Sequence, residues 1–302
     1  MNGESVLQRV EKAIDFLYRE RWASEFGLIF GAVTVDWGDI SPDVNNGIGA
    51  NLRPGSSHIA VDVYDNAMLS LAIAKYIGFL DAGSPKKEEW QKKLDELNKS
   101  IRNHLWDNQN MKFYPHLYLK NSEPYVSGTP WEKIQVDKFI DGTPFDESKI
   151  YFHGGTGIAI KAGILDKKQI AWSLKKMRGN VEKSGAMSIG LTLYPPYPQN
   201  IWSSEYTQSR IGYLPYFYQN GGDWTWFGAR IVSGLVENGF MEEAYIEIQP
   251  MLERAIEYNG FYEWWHPKSQ GAKPVGHGDF RGSAGVLFTA IEELEKWANQ
   301  NK

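Results

Sequence analysis

An all-α fold with long, irregular loops is the expectation for this chain of 302 residues. Apolar residues recur at helical spacing in segment after segment, and few runs alternate with the two-residue period of a strand. The stretches between the helical segments are long and rich in Gly, Pro, Asn, Ser and aromatic residues. With 42% hydrophobic and 23% charged residues, the chain can bury a substantial core, which excludes intrinsic disorder as its main state.

Val6, Ala13, Ile14 and Leu17 predict a helix at the start, and a second is expected over residues 61–80. Trp90, Leu94, Leu97, Ile101 and Leu105 line one face of a third. Further helices are expected over 157–164, 167–177, 224–238, 241–258 and 285–298, with Gly83, Gly179 and Gly239 at helix ends. The long loops are 31–57, 111–153, 194–222 and 260–282, and loops of such length are usually functional or irregular. Short strands are expected at most over 113–119 and 188–194. No composition break, low-complexity linker or exact repeat divides the chain, so residues 1–302 are read as one domain.

Lys and Arg number 32 against 37 Asp and Glu, a formal charge of −5, so there is no basic footprint for nucleic acid. The absence of cysteine excludes disulfides, thiolate nucleophiles and Cys-ligated metal centres. The first residues lack the basic-then-apolar pattern of a signal peptide, and no apolar run is long enough to span a membrane. The expectation is a soluble, cytoplasmic protein with no membrane partner. Aromatic residues make up 14% of the chain, with 12 Trp and 16 Tyr. Flat amphipathic rings suit a carbohydrate cleft, while the plainer reading is that many fill the core and seal loops.

Without Cys, and with six His and no Ser nucleophile-elbow motif, the usable catalytic groups are mostly carboxylates. Asp36 and Asp39 bracket Trp37 just after an apolar stretch. A carboxyl beside an indole in a dry pocket can act as a general acid near neutrality; the competing reading is a turn in which Asp39 bonds backbone amides. Glu263 sits among Phe261, Tyr262, Trp264 and Trp265, either as a general base or as an anchor of its loop. Asn220, Gly221, Gly222, Asp223, Trp224 and Trp226 form a third candidate, in which Asp223 caps a helix or faces a cleft floored by the indoles. His153 and His277 are glycine-flanked polar points suited to sugar hydroxyls. None of these has the spacing of a zinc site or a phosphate-binding loop, so no metal and no cofactor is expected.

In their order along the chain, these pieces resemble the six-hairpin glycosidase superfamily, which includes trehalases, processing α-glucosidases and amylo-1,6-glucosidase modules. The likeness rests on Val35-Asp36-Trp37-Gly38-Asp39, on the helix beginning Val61-Asp62-Val63-Tyr64-Asp65-Asn66, on Tyr218 to Trp224 and on Gly260 to Pro267. The resemblance implies an (α/α)6 toroid and an inverting glycoside hydrolase acting on an α-glucoside or short oligosaccharide. It implies Asp36 as the general acid, Glu263 as the base, Asp39 as the substitute acid and Asp65 at the substrate. In an inverting site the two carboxyls stand roughly 6.5–9.5 Å apart to admit a water. The helices counted are fewer than a complete toroid needs, so the ring is expected to be shortened or incomplete, with a partner chain as one way to complete it. The oligomeric state is left open. Trp37, Trp224, Trp226, Trp264 and Trp265 are the expected subsite walls. Two alternatives remain: a phosphorylase of the same fold using Arg210, Arg230 or Arg281, and a non-catalytic carbohydrate-binding toroid.

Overall fold

A computed structural model of the chain describes residues 3–38, 40, 59–119, 147–197 and 214–301. Among these, the helices are α1 (Val6–Glu20), α2 (Val63–Gly78), α3 (Pro85–Leu105), α4 (His153–Lys161), α5 (Lys167–Ser184), α6 (Thr225–Glu237), α7 (Met241–Glu257) and α8 (Arg281–Gln300). Each start has a local cause where a polar cap is present. Ser5 and Gln8 form a reciprocal capping box on α1, Asp166 and Gln169 form another on α5, and Asp62 accepts from the Asp65 amide at the head of α2.

The helices pack as a row of hairpins. α2, α4, α6 and α8 are successive neighbours, while α3 packs on α2, α5 on α4 and α7 on α6; α1 lies against α2. Burial follows this arrangement. Every residue of α4 from His153 to Ile160 is buried, and α6 is buried over most of its length, as expected for inner helices that are covered on all sides. The outer α3 buries only Trp90, Leu94, Leu97, Ile101 and Leu105, the stripe read from the sequence. Close approach of the inner helices needs a missing side chain: a Cβ on Gly157 would lie 2.5 Å from Ile231 Cγ1.

The remaining order is supplied by short antiparallel strands. β3 (Gly31–Ala32), β4 (Ile59–Val61) and β7 (Leu117–Leu119) form a three-stranded sheet, with Gly31 opposite Ala60 and Val61 opposite Leu117. Two-stranded ribbons join β1 (Trp22–Ala23) to β2 (Leu28–Ile29), β5 (Trp106–Asp107) to β6 (Lys112–Phe113), β8 (Tyr151–Phe152) to β9 (Leu193–Tyr194), and β10 (Trp264–Trp265) to β11 (Pro274–Val275). The structure is thus helical with a few short strands.

Several sequence-based boundaries are corrected. Gly179 does not end α5, which continues to the left-handed Gly185 at φ 71° because burial of Met177, Asn180 and Ser184 outweighs the roughly 1 kcal/mol that an interior glycine costs. The helix expected from 157 begins at His153, where Gly154 and Gly155 hide its first turn from any propensity argument. α8 likewise begins at Arg281, before Gly285. The strand expected over 188–194 shrinks to β9 plus a bridge between Leu191 and Asp223. Gly83 and Gly239 do lie at left-handed turns, just before α3 and just after α6.

Candidate active site

The loop after β3 turns sharply at residues 35–38, where the Gly38 amide donates to the Val35 carbonyl at 3.0 Å and Asp36 takes a left-handed φ of 53°. The turn drives the Asp36 carboxyl into the protein, leaving the residue 2% exposed. It meets the head of α4. The Gly155 amide donates to Asp36 Oδ1 at 2.9 Å and Oδ2 at 3.2 Å, so a carboxylate sits at the positive end of an inner helix. This approach requires glycine: a Cβ on Gly154 would come within 2.6 Å of Asp36 Oδ2, and one on Gly155 within 2.3 Å of Val63 Cγ1.

Burial pushes the Asp36 pKa up to about 8, against the pull of the Gly155 and Gly154 amides and with a further push from the Asp65 charge. Asp62 and Asp65, at the head of α2, are also raised, chiefly by burial. Asp65 differs from Asp36 in access. Protein surrounds its carboxyl on most sides, yet the residue opens to solvent through a cavity of about 900 Å³ that Asp36, Trp37 and Asp65 line together.

An aromatic cluster adjoins the two carboxyls. Trp37 lies 5.0 Å from Trp224, 5.2 Å from Trp226 and 4.3 Å from Phe227, ring centre to ring centre. It continues through Tyr218, 5.1 Å from Trp224, to Trp264 at 6.3 Å. Arg230 stands 4.0 Å above the Trp226 ring and hydrogen-bonds Tyr64. Glu263 lies at the far end of this cluster, half-buried, with its amide held by the Val275 carbonyl at 3.2 Å and β10 following it. It is not among the described residues that line the cavity beside Asp36.

Other expected contact residues serve the scaffold. Asp223 is 1% exposed and accepts from the Ser188 amide at 2.7 Å, the Ser188 hydroxyl at 2.7 Å and Arg254 at 2.9 Å; Trp224, not Asp223, holds the cap position of α6. His153 is fully buried between the Ile189 carbonyl and Asn180, and burial lowers its pKa to about 4, which keeps the ring neutral. Asn220 clamps the backbone of Tyr197 through both amide atoms, at 2.8 and 3.0 Å. Trp265 is 1% exposed under the Arg254 guanidinium, 5.0 Å from its ring centre. All four side chains are enclosed, and hydrogen bonds tie Asp223, His153 and Asn220 to neighbouring segments of the scaffold. Trp224 is nearly enclosed too, and its indole N–H donates to the Tyr218 carbonyl at 3.0 Å. His277 is exposed on the loop before α8. Asp39 and Arg210 lie outside the described residues.

One cluster had no sequence signal. Buried His116 faces Glu147 at 3.0 Å, and the Tyr197 hydroxyl donates to the same carboxylate oxygen. His116 also bears electrostatically on Asp62 and Asp65, and Glu147 holds its pKa above the usual imidazole value despite burial. Its partners lie 31 and more residues away in sequence, beyond any periodicity or motif. Among the described residues, no group of His, Asp and Glu has the geometry to hold a metal ion, and no helix is long and apolar enough to cross a membrane.

At the level of fold, the chain is similar to solved (α/α)6-toroid glycosidases. The chain is similar to the GH63 mannosylglycerate hydrolase from Thermus thermophilus in complex with Tris and D-glycerate, with a TM-score of 0.56, 13% identity, and 94% of this chain matched to 71% of that one. It is also similar to the GH78 family rhamnosidase of Bacillus sp. GL1, with a TM-score of 0.52, 11% identity, and 95% of this chain matched to 23% of that one. An uncharacterized conserved protein, also from Thermus thermophilus, matches with a TM-score of 0.50 and 14% identity over 78% of this chain, which spans about half (48%) of its length. No protein-family model matches the chain, and no curated protein matches it in sequence.

Proposed function

We propose that the chain is a glycoside hydrolase acting on an α-glucoside or short oligosaccharide with inversion, Asp36 being the acid and Glu263 the base. The observation that carries this reading is Asp36: a carboxyl protonated at neutral pH by its burial, at the edge of a cavity that it shares with Trp37 and Asp65. Its proton passes to the glycosidic oxygen as the bond from that oxygen to the anomeric carbon breaks. Glu263 takes a proton from water, whose oxygen bonds the anomeric carbon from the opposite face. The Gly155 amide then holds the Asp36 carboxylate so formed. The fold shared with a mannosylglycerate hydrolase and a rhamnosidase supports the reaction class.

The structural competitor is that Asp36 only caps α4. Asp36→Asn separates the two, since the amide oxygen still accepts from Gly155 but the acid proton is gone. Incubation with α- and β-linked disaccharides and oligosaccharides, followed by NMR of the product anomers, is expected to show an inverted sugar. Turnover should fall on the order of 10²–10⁴-fold in Asp36→Asn and in Glu263→Gln, with melting temperatures near that of the parent. Full activity in both variants sinks the assignment. Arg230, set beside Tyr64 and Trp226, favours a second reading as a phosphorylase, for which sugar phosphate appears only when inorganic phosphate is added. No product under either condition favours a non-catalytic binding protein. A cytoplasmic location and a partner chain completing the ring belong to the same proposal; the mass in solution tests the latter.

A further inference from the structure

The cavity at Asp36 has two chemically distinct ends. At one end are Asp36, Asp65, Thr34 and the Trp37 ring, which together offer acids, a hydroxyl and a flat face. From there it runs between α1 and α2, where Val10, Ala13 and Leu17 of α1 face Met68, Leu69 and Ala72 of α2. Among the described residues lining this second end, Arg21 is the sole charged side chain. Ala13 and Ala72 are exposed and Val10 is 38% exposed, so the groove is open to solvent rather than sealed core.

This wall chemistry discriminates between leaving groups. A second sugar would carry hydroxyls into an aliphatic slot, where each one left without a partner loses its hydration uncompensated. An alkyl or aryl group placed there exchanges water for matching surface, worth about fourfold in affinity per buried methylene. The general acid fixes the direction. Asp36 must stand at the bond being cleaved, between the sugar and the group that departs, so whatever leaves lies next to it. The aliphatic groove opens from that point. Resting on the glycosidase reading above, we propose that this site takes a single sugar bearing an apolar aglycone, with the aglycone lying between α1 and α2.

Calorimetry on the intact protein with methyl, butyl and hexyl 1-thio-α-glucosides, whose sulfur linkage resists cleavage, tests the groove independently of catalysis. Maltose and maltotriose form the comparison arm. The expected result is an affinity rising several-fold with each added methylene from butyl to hexyl and gaining little from added sugars. Ala72→Glu, a change at an exposed position, should lower the hexyl-to-methyl affinity ratio at least tenfold. An affinity flat from methyl to hexyl, including no measurable binding of any of them, overturns the proposal, as does an affinity that climbs with sugar number instead. Turnover of the matching oxygen-linked glucosides is scored separately. Chain-length-dependent binding without turnover keeps the groove and removes the hydrolase; turnover indifferent to chain length, with flat binding, does the reverse.

Discussion

Asp36 owes its acidity to two opposed effects, and their balance can be read in a pH profile. Burial lifts its pKa from 3.8 to about 8, while the α4 amides pull it down. A general acid works in its protonated form, so kcat/KM is expected to hold through neutrality and to fall tenfold per pH unit above about 8. An alkaline limb near pH 4 or 5 instead would mean an ordinary, solvated carboxyl. The same shift acts on stability: the folded state keeps a proton that the unfolded chain releases, so this group's contribution declines as pH rises from about 4 to about 8. Asp223 makes a different use of burial. With Arg254 4% exposed and Asp223 1% exposed, Arg254→Met leaves a buried charge unpaired, and denaturant titration should show a loss of about 3–5 kcal/mol. Residue-level reading singled out Asp36 and Glu263 by their neighbours in sequence, and the family resemblance added Asp65. It could not separate Asp223 from them, because a carboxylate in an aromatic loop looks the same whether an arginine 31 positions away has claimed it or not.

The sequence placed the inner helices α2 and α6 as closely as the outer α3, and it failed at particular sites for local reasons. Outer helices such as α3 carry an apolar stripe on a polar cylinder, and that contrast is the signal that periodicity detects. α4 is covered on all sides, has two glycines directly after its first residue, His153, and has no side-chain cap, so its first turn was missed although it is the one that holds Asp36. Gly155 makes the point testable. Gly155→Ala places a methyl 2.3 Å from Val63 Cγ1 and 3.0 Å from Asp36 Oδ1, and α2 and α4 must shift to admit it. We expect a loss of about 1–3 kcal/mol in stability, and a drop in activity larger than that loss explains at temperatures where the variant remains folded. Unchanged melting and turnover would show that the head of α4 has room the packing does not suggest. Over 188–194 the strand is shorter than the alternation suggests: only Leu193 and Tyr194 pair, with Tyr151 and Phe152, while the preceding residues form a bridge and a turn around Asp223.

For the molecule as a whole, one large cluster of buried apolar residues runs from Ile14 in α1 to Ala290 in α8, beside a smaller one of Trp224, Phe227 and Trp264. This continuity supports the proposal of one domain over the chain, and it predicts one cooperative thermal transition, with near-ultraviolet signals from the Trp cluster and far-ultraviolet signals from the helices melting together. Two separated transitions would divide the chain and remove that proposal. By itself, the sequence determined the helical class, the approximate position of most helices and the local neighbourhoods that set acids among aromatic residues, because those follow from local spacing and composition. Only the tertiary structure decided which carboxyls share a cavity, which are consumed by ion pairs, and that His116 and Glu147 stand behind Asp62 and Asp65. The physical reason is that burial and pairing depend on distances between segments tens of residues apart, and those distances exist only once the inner helices have packed.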